Sequence, residues 1–270
     1  MLLAAAGLGL LVGLLIGALG GGGSILTVPA LVYVLGLSAQ AATTASLVIV
    51  GLAAAVASVG HAHSGNTRWR KGLLLAAAGV PASLLGTRLN RLVDENALLL
   101  AFAVLMLAAA TGMLLRSDDS AGPDEHDRGS SGGGAARTLV HGAGTRRRDW
   151  TRIIPAGLAI GALTGFFGVG GGFVIVPALV VALQFPMAAA VGTSLLVIAV
   201  NSAVALAARA GHGSFEWQII VPFTATAVVA SLAGQRVADR LPARSLTRAF
   251  AVLLVLVAGY VAARAGFAVT

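Results

Sequence analysis

Long apolar blocks interrupted by short polar punctuation dominate this chain. No acidic or basic side chain other than His61 and His63 occurs before Arg68, and a second uncharged stretch runs from Ile153 to Ala208. A bilayer is spanned by about 20 apolar residues, so each block holds two crossings and more. In the first half the pattern predicts helices over 2–19, 42–61, 71–89 and 97–115, with a short apolar piece at 25–37. In the second half it predicts 153–168, 189–208, 218–236 and 246–264, with a short piece at 173–185. Outer-membrane barrels show weak alternation in segments of about ten residues, not solid blocks of this kind. The expected fold is therefore an all-α polytopic membrane protein.

Two glycine clusters break the apolar pattern. "IGALGGGGSILTVPALV" begins at Ile16, and "GALTGFFGVGGGFVIVPALV" begins at Gly161. Pro29 and Pro177 lie in identical VPALV words, and 177 − 29 = 148. The same offset pairs Gly13, Gly17, Gly20, Gly22 and Gly23 with Gly161, Gly165, Gly168, Gly170 and Gly171. It also pairs Trp69 with Trp217, Arg88 with Arg236, and the AFAVL words at Ala101 and Ala249. About one position in three is identical in this register. The chain thus reads as two tandem homologous repeats, 1–116 and 149–270. They are joined at 117–148 by a polar Gly/Ser-rich linker that buries too little surface to fold alone.

Each short piece has 13 residues, which fits a re-entrant segment better than a crossing. That gives four crossings per half, about eight in all, with Gly-broken re-entrant segments. Of the 18 Lys and Arg, 12 then lie on one side and 6 on the other, placing both termini and the linker in the cytoplasm. If the short pieces cross, there are ten spans and the repeats are inverted. The split becomes 14 to 4 with both termini outside, which the charge rule prefers. Segment length favours eight.

The chemistry follows from the breaks. Irregular backbone inside a bilayer survives only where protein buries it or where it lines a polar cavity. A freed helix N-terminus offers N–H groups and a positive dipole end, which suits an anion. Interrupted segments at matching places in duplicated halves point to a transporter site. The candidate binding residues are Gly20, Gly21, Gly22, Gly23 and Ser24, with Gly168, Gly170, Gly171 and Gly172. Pro29 and Pro177 are the structural or hinge residues. Close helix packing is the alternative role for glycines, and Gly13, Gly17, Gly161 and Gly165 fit it.

Thr44, Ser46, Gly192, Thr193, Ser194 and Asn201 are further candidates; their polar groups ligate an anion or tie helices together. Arg88 and Arg236 either attract an anion or anchor helix ends at the interface. Trp69 and Trp217 read as interfacial anchors. His61 and His63 read as solvated histidines at a helix end, with a proton relay the alternative role, and the acidic run at Asp118–Asp127 as solvated charge, with a metal site the alternative.

Composition narrows the function. The chain is 57% hydrophobic and 10% charged, against about 25% charged in soluble domains. Its net charge of +8 is spread over short connections, so it sets orientation and gives no case for nucleic acid. With no cysteine there is no thiolate metal site or cysteine nucleophile. HExxH, paired intramembrane aspartates and a Ser/Lys dyad are all missing from the sequence. The glycine run has no following Lys-Ser/Thr, so it is not a nucleotide loop. The expectation is no enzyme, no cofactor and no metal.

The paired words carry a resemblance: GxGGG…VP in each half, Gly192–Leu195 as GTSL with a weaker TASL at Thr44–Leu47, the tryptophan loops, and GxR at Gly86–Arg88 and Gly234–Arg236. Together they resemble the sulfite exporter TauE/SafE family, also called the 4-toluene sulfonate uptake permease family. The resemblance implies a bacterial inner-membrane permease that moves small sulfur-containing anions such as sulfite, sulfonates or sulfoacetate, with export the expected direction. It departs at Ser24, where the second half has Gly172, and at Thr44-Ala45, where it has Gly192-Thr193. Another small oxyanion or carboxylate is the alternative cargo, and a non-transporting assembly or sensor subunit the alternative role. The expected partners are the anion and the lipid bilayer, with a homodimer also admitted.

Overall fold

The computed structural model describes residues 2–90, 93, 95–119, 144–167, 172–208 and 216–267. Among them the regular structure is helical. The helices are α1 (Leu2–Leu19), α2 (Gly22–Pro29), α3 (Ala39–His63), α4 (Trp69–Asn90), α5 (Glu95–Asp119), α6 (Gly144–Phe167), α7 (Gly172–Pro177), α8 (Met187–Ala208), α9 (Trp217–Arg240) and α10 (Ala243–Phe267). Five of the described helices are long and apolar enough to cross a membrane: Leu2–Leu19, Gln40–His63, Met187–Ala207, Trp217–Arg240 and Ala243–Val261. Large apolar side chains such as Leu85, Val229 and Leu256 lie on the outside, where lipid replaces water as their partner. Phe173, Phe223 and Phe250 fill the interior.

Boundaries shift from the pattern in places. Helix α5 runs on to Asp119 and α6 begins at Gly144, so both enter the expected linker; 120–143 lies outside the described residues. Helix α3 starts earlier because Ser38 caps it, its hydroxyl accepting from the Ala41 N–H at 3.3 Å. The first break is only two residues long, Gly20 and Gly21, since Gly22 to Ser24 already form the first turn of α2.

Small residues set the helix pairing. Gly9, Gly13 and Gly17 on α1 press against Phe223, Ala227 and Ser231 on α9, leaving no room for a Cβ. Gly157, Gly161 and Gly165 on α6 press in the same way against Leu75, Gly79 and Ser83 on α4. Every partner in the second set lies 148 residues from its counterpart in the first: 161 − 13 = 148 and 227 − 79 = 148. Helix α1 thus packs on α9, the third long helix of the other half, and α6 packs on its counterpart α4. Without a hydrophobic force between helices in lipid, such close backbone contact is what dispersion requires.

These contacts also fix directions. Positions rise together in both pairs, so α1 runs parallel to α9 and α4 parallel to α6. Ala53 lies by Ser231 and Gly60 by Gln235, so α3 is parallel to α9 as well. By contrast α3 and α8 are antiparallel: Gly51 faces Ser202, while Asn66 and Thr67, just past the end of α3, face Gly192. Equivalent helices of the two halves therefore point in opposite directions.

These directions do not fit re-entrant pieces in parallel repeats. A re-entrant piece would leave α3 antiparallel to α1, yet the two run the same way, with His61 near the end of α3 against Gly17 near the end of α1. The chain between them must travel back, and α2 does so. Its counterpart α7 lies along α5, with Phe102 on Phe173 at 4.9 Å between ring centroids and Gly112 beside Val181. A 13-residue piece can do this because α1 stops short of the level where α9 ends: Gly17 meets Ser231, nine residues before Arg240. Successive segments alternate in direction. One end of the bundle collects the ends of α3 and α9 with the starts of α4, α8 and α10, and α1 stops short of it.

Candidate functional site

The two short helices begin at the centre of the bundle, and their first residues touch. A Cβ on Gly21 would collide with the Gly172 backbone carbonyl, so the halves meet here through bare backbone. Gly20 takes a left-handed conformation (φ 70°), which few other residues adopt without strain. A Cβ there would also stand 2.7 Å from the Ser194 Oγ. The break therefore places Gly20 and Gly21 against α8 and α7 of the other half.

The other glycines of the cluster do different work. Gly22 faces Phe250 and Leu253 on α10, and Gly23 packs back onto Val12 and Ile16 of α1. Gly172 lies against the Ser24 hydroxyl and Gly21. Gly168, Gly170 and Gly171 lie outside the described residues.

Each proline ends a short α-helix and opens a π-helical turn. After Pro29 the turn is Ala30–Val34, closed by the Leu35 N–H donating to the Ala30 carbonyl at 3.3 Å. After Pro177 it is Ala178–Ala182, closed by Leu183 to Ala178 at 3.2 Å. A proline lacks the N–H that would continue the ladder inward, and π-bulges concentrate where helices are remodelled for function.

The hydroxyls divide into two groups. Ser24 Oγ donates to the Gly21 carbonyl at 2.6 Å, and Ser194 Oγ donates to Val191 at 2.8 Å. Both are buried, and both stand at the meeting point of the halves. Thr193 acts elsewhere, its Oγ1 accepting from the Arg68 N–H at 3.2 Å and so tying α8 to the start of α4. Gly192 seats the turn at Asn66 and Thr67. Thr44 and Ser46 donate within α3, to Gln40 at 3.0 Å and Thr43 at 2.8 Å. The Asn201 Oδ1 is buried with no partner among the described residues. Arg88 and Arg236 are exposed on different helices, α4 and α9. Trp69 and Trp217 are exposed too, as interfacial anchors are.

One residue read as solvated is not. His61 is 1% exposed, and its Nε2 lies 3.0 Å from the Gly17 carbonyl. That carbonyl belongs to the last turn of α1, where helix geometry leaves acceptors without partners. Beside it opens a cavity of about 140 Å³, lined by His61, Asn66, Val191 and Asp239 among others. His63, two residues on, is exposed as expected. His61 lies at the end of a long apolar run, two residues before the end of α3, and that place does not distinguish it from His63; nothing in the sequence pointed to Asn66 or Asp239. Among the described residues no cluster of three metal-ligating side chains occurs.

Comparison with known proteins points to a family of membrane transporters. The family model described as sulfite exporter TauE/SafE matches residues 5–261. A "probable membrane transporter protein" of Xylella fastidiosa strain Temecula1 is 35% identical over 259 residues, covering 94% of this chain and 92% of that protein. The "probable membrane transporter protein YunE" of Bacillus subtilis strain 168 is 22% identical over 260 residues, covering 93% of each. No solved structure matches.

Proposed function

From the premise that the chain belongs to the sulfite exporter TauE/SafE family, we propose that it is a secondary transporter exporting small sulfur-containing anions, sulfite or sulfonates, across the inner membrane. It is a multi-pass protein of a bacterial membrane. The observation that carries the cargo reading is the meeting of Gly21 and Gly172 between opposed halves. Backbone N–H groups freed at the break, with the Ser24 and Ser194 hydroxyls, replace the hydration of an anion. The halves rock about this point and expose it to one side and then the other. The role is transport and not catalysis.

Ten alternating segments cross or nearly cross the bilayer in this reading. The 14 to 4 split of Lys and Arg then puts the linker in the cytoplasm and both termini outside.

Uptake of labelled sulfite, sulfate, taurine and a carboxylate into proteoliposomes tests this. Saturable sulfite flux is the expected result, and flux of the carboxylate alone would reassign the cargo. Absence of flux for every anion would overturn the transporter reading and favour an assembly or sensor subunit.

A further inference from the structure

Helix α1 ends at the break, and its last carbonyls need partners. The Ile16 carbonyl accepts from the Gly20 N–H at 2.9 Å. The Gly17 carbonyl is served by a side chain from 44 residues away, His61. A carbonyl only accepts, so the hydrogen on the ring sits on Nε2, and Nδ1 of the neutral imidazole is an acceptor. Nδ1 is buried and has no partner among the described residues.

The ring borders the cavity, whose volume of about 140 Å³ has room for several waters at about 10–15 Å³ each. Its wall includes Val191, whose Cα lies 3.3 Å from where a Gly20 Cβ would be, so one layer of residues separates cavity from break. The charged group facing the ring is Asp239 on α9, which accepts from Ser64 Oγ at 3.4 Å. The lining residues of α8 and α10 carry no titratable group. At the start of α4, Arg68 and Lys71 instead stack over the Phe185 ring, at 4.7 and 5.5 Å from its centroid.

We propose that His61 is the proton-carrying residue of this transporter, coupling one proton to each anion that passes the adjacent break. The proposal rests on the transporter reading. The neutral ring of His61, a residue that lines the cavity, takes a proton at Nδ1 while Nε2–H stays on the Gly17 carbonyl. The resulting imidazolium is paired by Asp239 and by the anion at the break. The proton is returned to solution on the far side when the halves have moved. One orphaned carbonyl thus links the charge of the ring to the end of α1. The position 148 residues on is Arg209, a side chain that does not give up its proton, so the duplicated frame supplies this group once.

The test uses full-length protein in proteoliposomes loaded with labelled methanesulfonate, which stays ionised throughout, with a pH step across the membrane. One proton per anion predicts that the steady-state anion ratio in wild type moves by about tenfold per pH unit. His61→Gln, whose amide can still donate to Gly17, keeps gradient-free exchange and loses that response. His63→Gln, on the exposed ring, keeps both. A wild type that transports but ignores the pH step, or a His61→Gln variant that still follows it, overturns the proposal. A wild type with no flux of any anion overturns the transporter reading instead. Should His61→Gln be inactive altogether, proton uptake decides. Methanesulfonate, which does not buffer, is added to weakly buffered wild-type protein in detergent. Uptake of about one proton per site is expected, and none would overturn the proposal.

Discussion

Two glycines with the same backbone conformation separate strain from function. Gly20 has φ 70° and Gly36 has φ 73°, so alanine at either costs about 1–2 kcal/mol. A Cβ at Gly36 meets nothing within 4 Å, whereas at Gly20 it meets the Ser194 hydroxyl between the halves. Gly36→Ala should lower thermal stability modestly and keep flux, while Gly20→Ala should lose flux as well. Equal flux from both would show that the contact between Gly20 and Ser194 is not part of the pathway. The sequence marked the glycine cluster but could not sort it. Gly20 and Gly21 face α8 and α7 of the other half, Gly22 faces α10 of that half, and Gly23 packs on α1 of its own, and only tertiary contacts distinguish them. His61 was read as solvated for a related reason. A histidine at the end of an apolar run looks the same whether water or a broken helix receives its N–H.

At the scale of elements, the stripe of glycines on α1 decides whether the halves can interlock. Gly13 lies against Ala227 with no space for a side chain, while Gly7, two turns earlier, has nothing within 4 Å. Gly13→Leu forces apart a backbone contact and costs about 3 kcal/mol or more. It should yield little monodisperse protein on size-exclusion chromatography in detergent. Gly7→Leu should behave as wild type; if both were tolerated, α1 would not be held on α9. This stripe was legible as small-xxx-small spacing, though its partner was not, because spacing says that a helix packs closely and not on what. The short pieces misled in the opposite way. Thirteen residues are short for a crossing, but the length needed depends on where the preceding helix stops, and α1 stops before the level where α9 ends.

For the whole molecule, the offset of 148 carried more than any single motif. It foretold which residues of the two halves would occupy equivalent contacts, and the pairs at Gly13 with Ala227 and Gly161 with Gly79 obey it. Direction was beyond it, since an alignment register is the same for parallel and opposed copies. The charge asymmetry leaned towards ten alternating segments where length argued for eight. The central claim, that the halves oppose each other across the membrane, is open to one direct measurement. The chain has no cysteine, so single cysteines report alone. Arg70 and Gln218 are equivalent positions, 218 − 70 = 148, and both are exposed next to a tryptophan at the start of α4 and α9. Arg70→Cys and Gln218→Cys would be labelled in intact cells with a membrane-impermeant maleimide. Opposed halves predict that Gln218→Cys reacts from outside and Arg70→Cys only after the membrane is opened. Labelling of both from the same side would contradict the account.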